Sequence, residues 1–176
     1  LDRPARVTVE QVEQLTLTAA CDELPDAERE ICCCVMGLSG RMSGQLLMAF
    51  DDASGLALAD LLLAKSIGTS TRWGEIERSA AQETANIIGC AYLNSLARCF
   101  PAADGEPDDL LPSPPKFVRD FAEALLEFAL MDQAAASDVV FLTRNEFCIE
   151  DAPVRCQLIL VPGAQYLAEL QEMLPA

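Results

Sequence analysis

The chain repeats itself. One segment, QLLMAFDDASGLALADLL, begins at Gln45, and a second, QLILVPGAQYLAELQEML, begins at Gln157. Aligned without gaps, Gln45 meets Gln157, Leu46 meets Leu158, Leu58 meets Leu170 and Leu62 meets Leu174. Each copy reads as an apolar strand followed by a short helix, and another strand-like run precedes each. A weaker echo pairs Arg3-Pro4 onward with Pro114-Pro115 onward at nearly the same offset. Two coincident echoes point to an internal duplication, so the fold is expected to carry pseudo-twofold symmetry.

Local patterns fill in the elements. Thr8 and Gln11 fit a capping box before Val9 to Leu15, a short helix or strand. Residues 20–30 read as an acidic loop. Ile31 to Met36 and Met42 to Phe50 form a hairpin around Gly37 to Gly40, and Asp138 to Ile149 with Val154 to Val161 form a second. Ala53 to Ala64 is a helix ending near Gly68, and Trp73 to Phe100 is a long helix. Pro101 to Pro115 is a loop rich in Pro and Asp. Phe117, Phe121, Leu125 and Phe128 recur at helical spacing, which predicts a helix from Phe117 to about Ala135. Gln165 to Leu174 is the final helix. The expected architecture is a single α+β domain of two related halves, about 1–68 and 73–176. Its antiparallel sheet of two hairpins is backed by helices. By symmetry, a twin of the long helix is expected upstream of the first hairpin, before Leu1, so the first half looks truncated.

Composition narrows the function. Half of the 176 residues are apolar (51%), enough for one real core. Acidic residues outnumber basic ones 28 to 12, for a net charge of −16. Such a surface repels nucleic acid and anionic lipid headgroups and favours a partner with a basic or metal-lined face. The chain has no histidine, which removes Ser-His-Asp triads, Cys-His dyads and His-ligated metals. Eight cysteines remain, none in a C-x-x-C pair. Strand alternation puts Cys32 and Cys34 on one face and Cys33 on the other. The plain reading is of small buried hydrophobes in a reducing cytosol. No stretch reaches the about 20 apolar residues of a membrane span, and no signal peptide is visible, so a cytoplasmic location is expected.

The long helix holds the candidate chemistry. Periodicity gathers Ile76, Ala80, Thr84, Ile87, Ile88 and Ala91 on a side expected to face the sheet. Glu75, Ser79, Gln82, Glu83 and Asn86 gather on another, with Asn94 two turns beyond Asn86. Glu83 and Asn86 are three residues apart, hence neighbours on the helix surface. A solvated Glu–Asn pair at this spacing is common, and spacing alone favours that plain reading. The chemical alternative rests on the amide of Asn, which donates and accepts at once and can hold a water in line with a phosphorus atom. Phosphoryl transfer passes through a loose transition state, so positioning and charge stabilisation supply most of the catalysis.

The stretch Ser79-x-x-x-Glu83-x-x-Asn86 resembles the signature helix of the CheC/CheX/FliY phosphatases of bacterial chemotaxis. Its continuation from Ile87, ending Tyr92-Leu93-Asn94-Ser95-Leu96, resembles the same family, as does the order of elements on either side. The resemblance spans nearly the whole chain and implies a CheC-like fold. It implies that Asn86 inserts into a CheY-type response regulator and orients the water that attacks its aspartyl-phosphate. Glu83 would pair with a Lys of that regulator, and Ser79 would give structural support. No cofactor would be bound by this chain; Mg²⁺ would belong to the phosphorylated partner.

The chain also departs from the family. Counting from Asn86, the position of the family's proline is held by Asp109, and Pro112 follows three residues later. Residues Gly105 to Asp109 form an acidic insertion, and only one signature helix is present. Two further readings therefore stand beside the phosphatase. One is a catalytically silent adaptor for a response regulator, a flagellar switch protein or the deamidase CheD. The other is a structural domain that forms homodimers through exposed sheet edges.

Overall fold

The computed structural model describes residues 5–22, 29–40, 42–99, 110–138 and 140–166. Its strands are β1 (Ala5–Leu15), β2 (Glu30–Gly40), β3 (Gly44–Phe50), β4 (Leu110–Pro112), β5 (Lys116–Phe121), β6 (Val140–Ile149) and β7 (Arg155–Pro162). Its helices are α1 (Leu17–Asp22), α2 (Asp52–Leu62), α3 (Glu75–Cys99) and α4 (Ala122–Ala136). All strand pairs are antiparallel and form one sheet in the order β1-β6-β7-β3-β2, with β4 and β5 sharing the outer edge of β2.

The sheet reads the same from both edges. At its centre Leu47 of β3 pairs with Ile159 of β7. These two residues are also counterparts in the ungapped alignment of the two segments, so the matching segments pair with each other at the middle of the sheet. The two expected hairpins are present as β2–β3 and β6–β7, each flanked by an edge strand. The first, however, turns beyond Gly40 rather than around Gly37 to Gly40, because those residues continue β2 and Gly37 and Leu38 pair with Gln45 and Gly44.

Alternation sends successive side chains to two separate cores. Cys32, Cys34, Met36, Leu46, Met48 and Leu158 pack beneath α2 and α3. Cys33, Leu47, Ala49, Leu142, Ile159 and Val161 pack with Leu126 and Leu130 of α4 and Ala20 of α1. The three consecutive cysteines are all fully buried, divided between the faces as alternation predicts.

Several expectations are corrected. Residues 9–15 belong to a strand, and Thr8 and Gln11 stand opposite Glu146 and Arg144 in its ladder, so they cap no helix. Residues 17–22, partly expected as loop, form α1, where Thr16 Oγ1 accepts from the Ala19 N–H at 3.1 Å. Residues 116–121 are strand, and the helix begins only at Ala122. Phe117 lies opposite Cys34 and Phe121 opposite Glu30, because β2 would otherwise present an unpaired edge next to the core. The loop expected over 101–115 contains β4 at its end, and its residues 101–109 lie outside the described ones. Of the expected final helix, the described residues include only a 3-10 turn at Ala164–Tyr166. None of the described helices is long and apolar enough to cross a membrane.

Candidate functional site

Helix α3 is fixed first at its N-terminus. Trp73 Nε1 donates to Asp52 Oδ1 at 2.8 Å, and its ring packs 5.8 Å from Phe50 and 4.8 Å from Phe117. Glu77 Oε2 accepts from the Gly74 N–H at 3.2 Å, which satisfies one of the helix's orphan donors. The other oxygen of Glu77 binds Lys65 Nζ and Ser70 Oγ, each at 3.2 Å. Hydrogen bonds to its own backbone N–H and to Lys65 hold the Glu77 carboxyl below the usual range.

The loop from α2 to α3 is held from beneath by Asp60. This carboxylate is fully buried and accepts from the backbone N–H groups of Gly68, Thr69 and Ser70 at 2.9 to 3.2 Å. Burial alone would raise its pKa. The hydrogen bonds from Ser70, Thr69 and Gly68 outweigh burial and lower it.

Along its length α3 packs through small residues. Ala81 and Ala85 are fully buried. Four residues on, a Cβ at Gly89 would lie 2.9 Å from Met36 Cε and 3.3 Å from Leu46 Cδ2. Leu93 continues the same stripe at 1% exposure. Gln82 Nε2 donates to the Pro115 carbonyl at 2.7 Å and ties α3 to the break between β4 and β5. Further along, Tyr92 Oη lies 3.3 Å from Thr143 Oγ1 and accepts from the buried Asn145 Nδ2 at 3.4 Å.

The stripe Ala81, Ala85, Gly89 and Leu93 turns the helix relative to the sequence expectation. Thr84 is buried and Ile88 packs on the core, as expected. Ile76 and Ile87, by contrast, are 62% and 59% exposed, and Ala91 is exposed too. Small residues let the helix axis come close to the sheet, and no room is left there for the larger isoleucines. Gln82, expected beside Glu83, points instead to Pro115.

The three predicted site residues lie on the outer side of α3. Ser79 and Glu83 are exposed and Asn86 is half-buried. Glu75 and Asn94 are exposed as well. Asn86 Oδ1 accepts a weak hydrogen bond from Cys90 Sγ at 3.8 Å, one turn along the helix. Among the described residues the second lone pair of that oxygen and the amide N–H groups form no further hydrogen bond, so the amide can both accept from and donate to a ligand.

Beside this pair lies an open groove of about 540 Å³ between the end of α2 and the first turns of α3. Leu62, Leu63, Ile76 and Ala80 form its apolar wall, and Glu75, Ser79 and Glu83 its polar rim. Sequence reasoning missed the two isoleucines and the α2 leucines. The signal that could have found them is the four-residue spacing of small residues at 81, 85 and 89, which marks the packed face.

The buried thiols offer no competing site. Burial, helped by the Asp52 carboxylate, pushes Cys32 up to about 12, and burial pushes Cys34 and Cys156 up to about 12. Cys33 is raised further by burial and by its two cysteine neighbours. Such groups are poor nucleophiles at neutral pH.

No family model matches the sequence, and no curated protein matches it. Solved structures do match. The chain is 20% identical to Thermotoga maritima FliY, with a TM-score of 0.69 over 97% of this chain and 81% of that one. It is 12% identical to the FliM middle domain of Vibrio alginolyticus, with a TM-score of 0.56 over 98% of this chain and 86% of that one. A Borrelia burgdorferi CheX, solved in complex with CheY, BeF3 and Mg²⁺, aligns at 11% identity and a TM-score of 0.52, covering 93% and 86% of the respective chains. With its antiparallel sheet, central repeat pairing and long outer helix, this chain has the CheC-like fold shared by FliY, CheX and the FliM middle domain.

Proposed function

We propose that this chain hydrolyses the aspartyl-phosphate of a CheY-type response regulator. Asn86 orients the attacking water and Glu83 docks on a cation of the partner. The observation that carries this reading is the placement of Glu83 and Asn86 on the outer face of a helix anchored at its N-terminus and again at Gln82 and Tyr92. CheX, a protein of this fold, has been solved bound to CheY carrying BeF3 and Mg²⁺, which supports a partner of that kind.

The chemistry needs little from this chain. Water attacks phosphorus as the bond from phosphorus to the carboxyl oxygen breaks. The Asp carboxylate is regenerated, inorganic phosphate leaves, and the proton of the water ends on phosphate or solvent. The amide oxygen of Asn86 accepts from the water while its N–H donates to a phosphoryl oxygen, which fixes the approach in line. Such positioning contributes several kcal/mol, up to about 7 or more in well-aligned systems. The partner supplies Mg²⁺ and its own Lys.

The test is the decay of a regulator phosphorylated by a small donor in Mg²⁺. Wild type is expected to accelerate decay and Asn86→Ala to lower that rate by about 10² to 10³. Equal rates with and without the wild-type chain, across the regulators of its host, would remove the catalytic reading. The adaptor reading would then lead. It is favoured by the likeness to the FliM middle domain, since that fold also builds a flagellar protein. Under it the same face binds a regulator, a switch protein or CheD without turnover.

A further inference from the structure

The outer face of α3 holds more than the two polar residues. Ile76 and Ile87 stand on either side of Glu83, seven residues before it and four after it, and each is more than half exposed. Leu62 of α2 is 38% exposed and lines the groove next to Ile76. An apolar wall of this kind, bordered by polar groups, is the anatomy of an interface core and its rim.

The charges on the rim restrict what fits. Among the described residues, neither Glu75 nor Glu83 forms an ion pair, whereas Glu77 is committed to Lys65. A second copy of this chain, at net charge −16, would bring further carboxylates to the same rim. The surface complements an apolar side chain with a Lys or Arg beside it.

We propose that the groove between α2 and α3 is the docking subsite for an apolar side chain on the receiver domain of the response regulator. A neighbouring Lys or Arg of the receiver is taken by Glu75 and Glu83, and Ile87 closes the contact beyond Asn86. This inference rests on the reading of α3 as the receiver-binding helix. It separates two tasks on one face: Ile76, Leu62 and Ile87 supply affinity, and Asn86 supplies rate. The apolar contact also sheds water around the glutamates, which strengthens their attraction to the partner's cation.

The experiment is a calorimetric titration with the host's CheY-type regulator, activated by beryllofluoride and Mg²⁺, alongside phosphatase kinetics. Ile76→Asp and Ile87→Asp replace exposed side chains, so their melting temperatures are expected to match wild type. Each is expected to weaken binding by about tenfold or more and to raise KM. Asn86→Ala is expected to bind like wild type and to lose kcat. Glu75→Gln is expected to weaken binding in a way that salt diminishes. If both isoleucine variants bind and turn over as wild type does, the docking subsite is overturned and the catalytic reading stands. If wild type binds but does not hydrolyse, the catalytic reading falls, and the subsite stands provided Ile76→Asp still loses binding. If wild type binds no activated regulator, both fall together.

Discussion

Gly89 of α3 sits on Met36 of β2 so closely that a Cβ at residue 89 would come within 2.9 Å of the methionine Cε. The atoms it meets are side-chain ends, but Met36 and its cross-strand neighbour Leu46 are both fully buried, so the thioether has little room to swing aside. This contact sets the height of the helix one turn beyond Asn86. Gly89→Val is therefore expected to destabilise the fold by about 1–3 kcal/mol through overpacking. Chemical denaturation measures it, and an unchanged midpoint would show that the helix is free to lift.

Trp73 is the only tryptophan in the sequence, and it joins α2, α3 and β5. Its fluorescence therefore reports on the base of the candidate site. Trp73→Phe keeps a ring against Phe50 and Phe117 but removes the donor to Asp52. A loss of about 1–3 kcal/mol is expected, as for a hydrogen bond to a charged group. The partial exposure of Asp52 and its remaining partners, Cys32 and Arg119, put the expected value at the low end. A variant as stable as wild type would show that ring packing alone holds the junction.

Asp60 links pH to the loop that borders the groove. Its folded pKa lies below the ordinary value of about 3.9. The unfolded chain therefore binds the proton more readily, and stability rises with pH through that range. The contribution is fully present above the unfolded pKa and is lost as pH falls through the folded one. Asp60→Asn removes the titration and is expected to lower the melting temperature at neutral pH while flattening its decline below about pH 5. Parallel acid profiles for the two proteins would contradict the assignment. Amide exchange at residues 68–70 should speed up in the variant, since their acceptor is weakened.

The six cysteines whose side chains are described should react in two classes. Cys32, Cys33, Cys34 and Cys156 are buried, with pKa values raised by burial, whereas Cys90 and Cys148 are partly accessible. A thiol reagent at neutral pH is expected to label Cys90 and Cys148 on the native protein and the other four only on unfolding. Peptide mass mapping after timed labelling distinguishes them. Early labelling within the 32–34 run would show that β2 opens locally.

Asn86 and Cys90 supply a check on the site itself. Cys90→Ala removes the weak bond to the Asn86 amide without touching the partner-facing groove. A modest fall in kcat at unchanged KM is expected, about twofold to fivefold for one weak orienting contact of up to about 1 kcal/mol. No change in either constant would mean that the helix backbone alone orients the amide.

The sequence by itself determined much of this protein. Paired apolar runs of strand length determined the two hairpins, because strand-like patterning is a local property, but not where the first one turns, since Gly37 to Gly40 lie within β2. The repeat at Gln45 and Gln157 determined the symmetry, which the pairing of Leu47 with Ile159 realises at the centre of the sheet. The three-residue spacing of Glu83 and Asn86 determined that they share a helix face. Only the tertiary structure decided which way that face points. Hydrophobicity nominated Ile76 and Ile87 for the core, but Ala81, Ala85 and Gly89 occupy it, because close approach to a packed sheet selects small side chains over large ones. Tertiary pairing also decided residues 116–121. Their apolar spacing suits a helix, yet the open edge of β2 draws them into a strand, since pairing there satisfies the edge groups of β2 that a helix over 116–121 would leave open.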